Sequence, residues 1–217
     1  MKSFTNRVTA GIDLAKAVSA NLPNAPHPLI LALPRGGVPV AAEVAKAIEG
    51  ELDLMIVRKL GVPWHPELAM GAIATGGVRI LNEDVIQHSG IGEEEIAAVE
   101  AMELAELQRR LQAYRGNRPT PQIGDRTVIL VDDGIATGAT MLAAVAAVRQ
   151  QHPAMLIVAV PVAPPETIAR LEQVADQVIA LIRPSTLYAI SAWYSDFSQT
   201  TDTEVTELLA EAWNRKS

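Results

Sequence analysis

The sequence predicts an α/β fold, a mostly parallel central sheet with helices on both faces. Short apolar runs at Leu29–Leu33, Leu52–Val57, Val128–Val131, Met155–Val160 and Gln177–Ile182 are rich in Val, Ile and Leu and read as buried strands. Stretches at helical spacing alternate with them, and a strand, a helix and a strand within about thirty residues make a βαβ unit, so the strands are parallel. The composition, 49% hydrophobic with few aromatics, suits a core of Val, Ile, Leu and Ala. At 217 residues the chain is expected to be a single domain, 1–217. Residues 61–120 interrupt the alternation, and 183–200 close the C-terminal end.

In order, Asn6–Ala20 is expected to open the chain as a helix with Val8, Ile12, Ala15 and Val18 at helical spacing. Asn21–Pro28, with three prolines, is a linker onto the first strand, Leu29–Leu33. A helix over about Val38–Ile48 follows, and the second strand, Leu52–Val57, ends on Arg58-Lys59. Gly76-Gly77 between two short apolar runs signals a hairpin. Asn82-Glu83-Asp84 caps a short helix. Gly92–Arg115 reads as a long one, with Leu104, Leu107, Leu111 and Tyr114 on one face. The alternation then resumes with the strand Val128–Val131, a helix over Met141–Gln150 and the strand Met155–Val160. A helix opened by Pro164-Pro165-Glu166 runs to about Ala175. The strand Gln177–Ile182 and a terminal helix, Asp202–Trp213, complete the chain. In such a sheet, ligands sit at the carboxyl ends of the strands.

Several function classes are excluded or disfavoured. A net charge of −7 argues against a nucleic-acid or anionic-membrane surface. The chain has no cysteine, which removes disulfides, thiolate catalysis and Cys-type zinc sites. No signal pattern or membrane-length apolar run is present, so the expected location is the cytoplasm. No Gly-Lys-Ser/Thr loop supports a P-loop nucleotidase.

The most informative stretch is Val128-Ile-Leu-Val-Asp-Asp-Gly-Ile-Ala-Thr-Gly-Ala-Thr-Met141. Two carboxylates, Asp132 and Asp133, stand where a buried strand ends. The small, hydroxyl-bearing loop Gly134, Ile135, Ala136, Thr137, Gly138, Ala139 and Thr140 leads into a helix. Free N–H groups and the positive end of the helix dipole make that junction a phosphate site. The stretch resembles the 5-phosphoribosyl 1-diphosphate (PRPP) motif of the type I phosphoribosyltransferases. The resemblance implies that Asp132 and Asp133 hold the ribose hydroxyls while Ala136–Thr140 hold the 5′-phosphate.

Three further stretches fall where such a ligand would lie. Leu33-Pro34-Arg35-Gly36-Gly37 places two glycines beside an arginine, a pairing suited to a polyanion. It is similar to the family's pyrophosphate loop, which implies a cis peptide between Pro34 and Arg35. Arg58-Lys59 resembles the Arg-Lys pair that precedes a mobile lid in pyrimidine and adenine enzymes. Val62 stands where those enzymes place another lysine, and His65 is the nearest substitute. The hairpin at Gly76-Gly77 is then the lid. Tyr188–Phe197 holds half of the chain's eight aromatics. By resemblance it is the hood over the acceptor, with Tyr188 or Trp193 stacking on a base and Asp196 near the metal or pyrophosphate; a core cluster explains the aromatics equally well.

The resemblance covers roughly residues 29–197. It is nearest to a bacterial group of predicted phosphoribosyltransferases with no assigned acceptor. It implies PRPP and a base-like acceptor as small-molecule substrates, and a homodimer. It also implies Mg²⁺, held mostly through substrate and water with help from Asp132 and Asp133. Arg35 and Lys59 are expected to stabilise the departing pyrophosphate. Ala136 replaces the aspartate that serves as base in 6-oxopurine enzymes, so hypoxanthine and guanine are disfavoured. The rival reading is a PRPP-sensing regulator that retains the fold without the chemistry.

Overall fold

The computed structural model describes residues 3–22 and 27–215; the expected linker falls partly outside them, at 23–26. In chain order the elements are α1 (Arg7–Asn21), β1 (Leu29–Ala32), α2 (Gly37–Ala47), β2 (Glu51–Leu54), β3 (Val57–Val62), β4 (His65–Ala74), β5 (Val78–Leu81), α3 (Glu83–Ser89) and α4 (Glu93–Arg115). They continue with β6 (Thr127–Val131), α5 (Ala139–Arg149), β7 (Met155–Val162), α6 (Pro165–Leu171), β8 (Gln177–Ile182), a short 3₁₀ turn at Ile190–Trp193 and α7 (Asp202–Asn214).

Five strands form one parallel sheet in the order β2-β1-β6-β7-β8. Its strands read as unbroken apolar runs because both faces are covered. Alternate side chains point to opposite faces. Ile30, Ala32, Ile129, Val131 and Ile157 join a core with residues of α1, α2 and α7. Leu29, Leu31, Val128, Leu130 and Leu156 join a second core with residues of α5 and α6. Each fully buried Leu or Ile contributes about 1.5–3 kcal/mol, so these two layers dominate the stability.

The second predicted strand is where the sequence misleads. The parallel strand β2 stops at Leu54, and buried Met55 and Ile56 carry the chain into a separate antiparallel sheet, β3-β4-β5. Arg58 and Lys59 therefore lie inside β3, opposite Ile73 and Ala72, rather than at the end of a parallel strand. The hairpin at Gly76-Gly77 is present, with φ of 94° and 77° that suit glycine. Its turn, however, packs beside Gln151 and residues 122–125, at the amino-terminal ends of the parallel strands. It is therefore not placed to be the expected lid over a ligand at their carboxyl ends.

The apolar face of α1 is rotated from expectation. Val8 and Ile12 are each 42% exposed, while Ala10, Gly11, Leu14, Ala15 and Val18 are the buried residues of α1. The small Ala10-Gly11 pair shares the buried stripe because Gly11 meets the backbone of α2 at Val40. On α4 the expected face is the packed one: Leu107 and Tyr114 are buried and Leu111 packs on the same core, while Leu104 opens onto a surface groove shared with Gly76 and Ile123. The helix α6 ends at Leu171, a turn earlier than its sequence suggests.

Candidate active site

β1 and β6 are hydrogen-bonded neighbours, with Ala32 opposite Val131, so the segments after both strands emerge side by side. The first segment turns through a cis Pro34–Arg35 bond into α2, whose N-cap is Gly36. Glycine is required there by contact. A Cβ on Gly36 would lie 2.0 Å from Asp133 Oδ2, and one on Gly37 would lie 2.8 Å from the Val131 carbonyl oxygen. The polyanion loop and the paired acids are thus one packed unit, although they lie about a hundred residues apart in sequence.

Asp132 is half-buried and Asp133 is buried. The backbone N–H of Asp133 donates to Asp132 Oδ1 at 2.8 Å, which fixes the first carboxylate. Asp133 Oδ2 accepts a 2.8 Å hydrogen bond from Arg7 Nε, and the Tyr194 hydroxyl donates to the Asp133 carbonyl at 2.6 Å. Burial raises the Asp132 carboxyl well above the usual carboxylate range, and repulsion from Asp133 adds to the effect. Burial also raises Asp133, against the opposing pull of Arg7. The Tyr194 hydroxyl is raised as well, chiefly by burial.

The second segment, Gly134–Thr140, is held from behind by α6. Thr167, fully buried, donates its hydroxyl to the Ala136 carbonyl at 2.8 Å, and Arg170 donates to the Thr137 carbonyl. Gly138 caps α5 with φ 80°, a left-handed conformation natural to glycine. With those two carbonyls tied back, the loop presents the first-turn N–H groups of α5. Ala136, Thr137, Ala139 and Thr140 are exposed around it. A strand end with two acids thus stands between a glycine loop and a helix N-terminus, both offering donors to an anion.

A model of the phosphoribosyl transferase domain matches residues 3–191. This chain belongs to that family. Two Mycobacterium tuberculosis proteins, from strains CDC 1551 and H37Rv and each provisionally named a phosphoribosyl transferase, are 43% identical to it over 212 residues. That alignment covers 98% of this chain and 47% of theirs, so the chain spans about half the length of these curated relatives. The Thermus thermophilus protein TT1426, known from its crystal structure, superposes with a TM-score of 0.86 at 41% identity. The match covers 96% of this chain and 98% of that one.

Against this phosphoribosyltransferase frame, the remaining expected residues divide. Arg35 Nη1 lies 3.4 Å from Asp202 Oδ1 on α7, and the same oxygen accepts a 2.6 Å bond from the Tyr114 hydroxyl. The bond from Tyr114, then Arg35, holds Asp202 below the usual carboxylate range, while burial first pushes the Tyr114 hydroxyl up to about 12. Lys59 shares a cavity of about 330 Å³ with Ala139 and Thr140, and pairs with Glu67 at 3.3 Å. Arg58 instead turns to α4, where its Nε donates to Glu103 at 2.6 Å. His65 opens β4 and is exposed.

The hood residues part company. Tyr188 is 95% exposed. Trp193 packs on the cluster of Phe4, Ala10 and Tyr194, and Asp196 Oδ1 accepts from the Ser198 N–H at 2.9 Å. Tyr194, which the sequence did not single out, bonds through its hydroxyl to the main chain of the paired acids.

Among the described residues no cluster of three or more His, Asp or Glu side chains stands ready for a metal. The donor set that exists, two adjacent carboxylates beside a polyanion loop, fits an ion that arrives with its substrate. Mg²⁺ binds in that way, through one or two carboxylates plus phosphate oxygens and water. No described helix is long and apolar enough to cross a membrane.

Proposed function

We propose that this protein binds PRPP with Mg²⁺ and transfers the 5-phosphoribosyl group to a nitrogenous base or similar acceptor, releasing pyrophosphate. The observation that supports the reading is the packing of Gly36 against Asp133, which brings the Arg35-Gly36-Gly37 segment and the paired acids together beside the loop Gly134–Thr140. In this reading Asp132 and Asp133 take the ribose hydroxyls, and the N–H groups and hydroxyls of Ala136–Thr140 take the 5′-phosphate. Gly36, Gly37 and Arg35 take the diphosphate, joined by Lys59, which shares a cavity with Ala139 and Thr140.

Transfer breaks the C1–pyrophosphate bond through an oxocarbenium-like state while a nitrogen attacks. Arg35 and Lys59 stabilise the charge on the leaving group. Mg²⁺ supplies charge neutralisation on the diphosphate when bound, with Asp132 and Asp133 as its protein oxygens. With Ala136 in the loop, no side chain there serves as a base for a 6-oxopurine, so the acceptor is sought among other bases. The work belongs to nucleotide metabolism in the cytoplasm. A homodimer is part of the reading, supported by exposed Met102 and Leu104 on α4, and light scattering tests it.

The second reading is a PRPP sensor. It is favoured by the engagement of Arg58 with Glu103 and by Val62 in the place of a lid lysine. Calorimetric titration with PRPP and Mg²⁺, followed by a panel of bases assayed for pyrophosphate release, separates the two. Binding with release for one base establishes the transferase and its acceptor. Binding with no release across the panel supports the sensor. An absence of PRPP binding removes both.

A further inference from the structure

Arg7 is the one cation in direct contact with the paired acids among the described residues, and neither the family motif nor the neighbouring sequence assigns it a task. It occupies the first position of α1, behind an Asn6–Thr9 capping box and with no acidic residue in that turn. A cation there opposes the helix dipole. Its partners are therefore elsewhere in the fold. Nε donates to Asp133 Oδ2 at 2.8 Å, Nη1 donates to the Ser198 carbonyl at 2.6 Å, and the guanidinium plane lies 3.9 Å over the Phe197 ring. Both side chains of the ion pair are close to nine-tenths buried, at 12% and 11% exposure.

We infer that Arg7 is the positioning residue of Asp133, holding that carboxylate in its ribose-binding orientation and fastening the C-terminal hood to it. The inference rests on the reading of Asp133 as a ribose ligand. Asp133 is fixed from three directions. Gly36 closes on Oδ2, Tyr194 grips the main-chain carbonyl, and Arg7 sets the rotation of the carboxylate between them. Without Arg7, repulsion from adjacent Asp132 is unopposed and the carboxylate turns away from it.

The same guanidinium reaches the hood, which Phe4 and Thr5 brace. Phe4 N–H donates to the Trp193 carbonyl, Ser195 N–H to the Phe4 carbonyl and Asp196 N–H to the Thr5 carbonyl, at 2.8–2.9 Å. Arginine is specific to the task. Its rigid fork serves two acceptors in different directions while its face covers an aromatic ring, and a lysine ammonium at the end of a flexible stem does not reproduce that geometry.

The test is calorimetry of the whole chain with ribose 5-phosphate and, separately, with pyrophosphate, for wild type, Arg7→Ala and Arg7→Lys. Arg7→Ala is expected to weaken ribose 5-phosphate roughly tenfold or more, the scale of a lost charge-assisted hydrogen bond, and to leave pyrophosphate almost unchanged. Arg7→Lys recovers only part of the loss. Millimolar guanidinium added to Arg7→Ala restores affinity, which it cannot do for a misfolded chain. In an Asp133→Asn background, Arg7→Ala has no further effect, because the group it positions is gone. Equal ribose 5-phosphate affinity in wild type and Arg7→Ala overturns the inference while leaving the site intact. Equal loss of both ligands with no guanidinium rescue also overturns it. Wild type that binds neither ribose 5-phosphate nor PRPP overturns the reading of the site itself.

Discussion

The hydroxyl of Thr167 on α6 donates to the carbonyl oxygen of Ala136, 31 residues earlier, from a side chain with no solvent exposure. The consequence is directional. A loop whose carbonyls are bonded on one side turns its N–H groups to the other, which is the orientation an anion requires.

Thr167→Val keeps the shape of that side chain and removes the donor. It leaves the Ala136 carbonyl without its partner, a loss of about 1–3 kcal/mol if the oxygen stays buried. If the loop turns over to recover a partner, affinity for ribose 5-phosphate falls by roughly tenfold or more. Thr167→Ser retains the hydroxyl and is expected to bind as wild type does. Calorimetry with ribose 5-phosphate checks both variants, and a Val variant indistinguishable from wild type in both affinity and melting sinks the proposed orientation.

Gly36→Ala tests the contact between the polyanion loop and the diacid. The added methyl would lie 2.0 Å from Asp133 Oδ2 and 3.2 Å from Arg7 Nε, so either the loop or the carboxylate must move. Overpacking of this kind costs about 1–3 kcal/mol. Because the displaced groups are the ligand's own partners, PRPP affinity is expected to fall with stability. A variant that melts lower yet binds PRPP at wild-type affinity would show that the two segments act independently.

What was legible in the sequence is what is local in it. Asp132, Asp133 and the loop to Thr140 occupy nine consecutive positions, and a strand end followed by a helix start needs no tertiary information. Arg7 and Tyr194 were not legible, because they reach Asp133 from 126 and 61 residues away. Arg7 left one faint trace, a cation in a first helical turn where the dipole disfavours it. Tyr194 lay within the aromatic cluster, but residue type alone could not show that its hydroxyl bonds to the Asp133 carbonyl. Arg58 and Lys59 were misplaced for a related reason. Met55 and Ile56 are buried like strand residues, so the apolar run conceals the step from one sheet to another.

The buried pair of Arg115 and Asp53 joins the end of α4 to β2 and supports the insertion that carries the hairpin. Arg115 Nε lies 2.7 Å from Asp53 Oδ1, Nη2 donates to Oδ2 at 2.9 Å, and Nη2 also donates to the Pro119 carbonyl at 2.7 Å. Burial raises the Asp53 carboxyl above its ordinary range even with Arg115 present. Arg115→Met removes the partner and leaves a buried carboxylate uncompensated, which costs on the order of 3–5 kcal/mol. Arg115→Met combined with Asp53→Asn is expected to lose less than Arg115→Met alone. Urea denaturation of the three proteins measures the difference, and a double variant no more stable than the single one would mean that the charges are not the source of the loss.

Asp132→Asn separates binding from stability. The folded-state carboxyl is raised by burial and by Asp133, so the native chain holds that proton more tightly than the unfolded chain. The stability this group contributes is therefore present below the unfolded carboxylate range and is lost as pH rises through the raised folded value. Above the unfolded carboxylate range the group is therefore a net cost to folding. Asparagine removes the charge and keeps an oxygen for the Asp133 N–H, now bonded at 2.8 Å. The variant is expected to melt above wild type at pH 7, with the gap closing as both are acidified below pH ~4. It should also bind PRPP much more weakly. Thermal unfolding across that pH range, beside calorimetry with PRPP, reads both effects. Melting below wild type at pH 7 would show that the Asp132 carboxylate stabilises the empty site and is not strained by it.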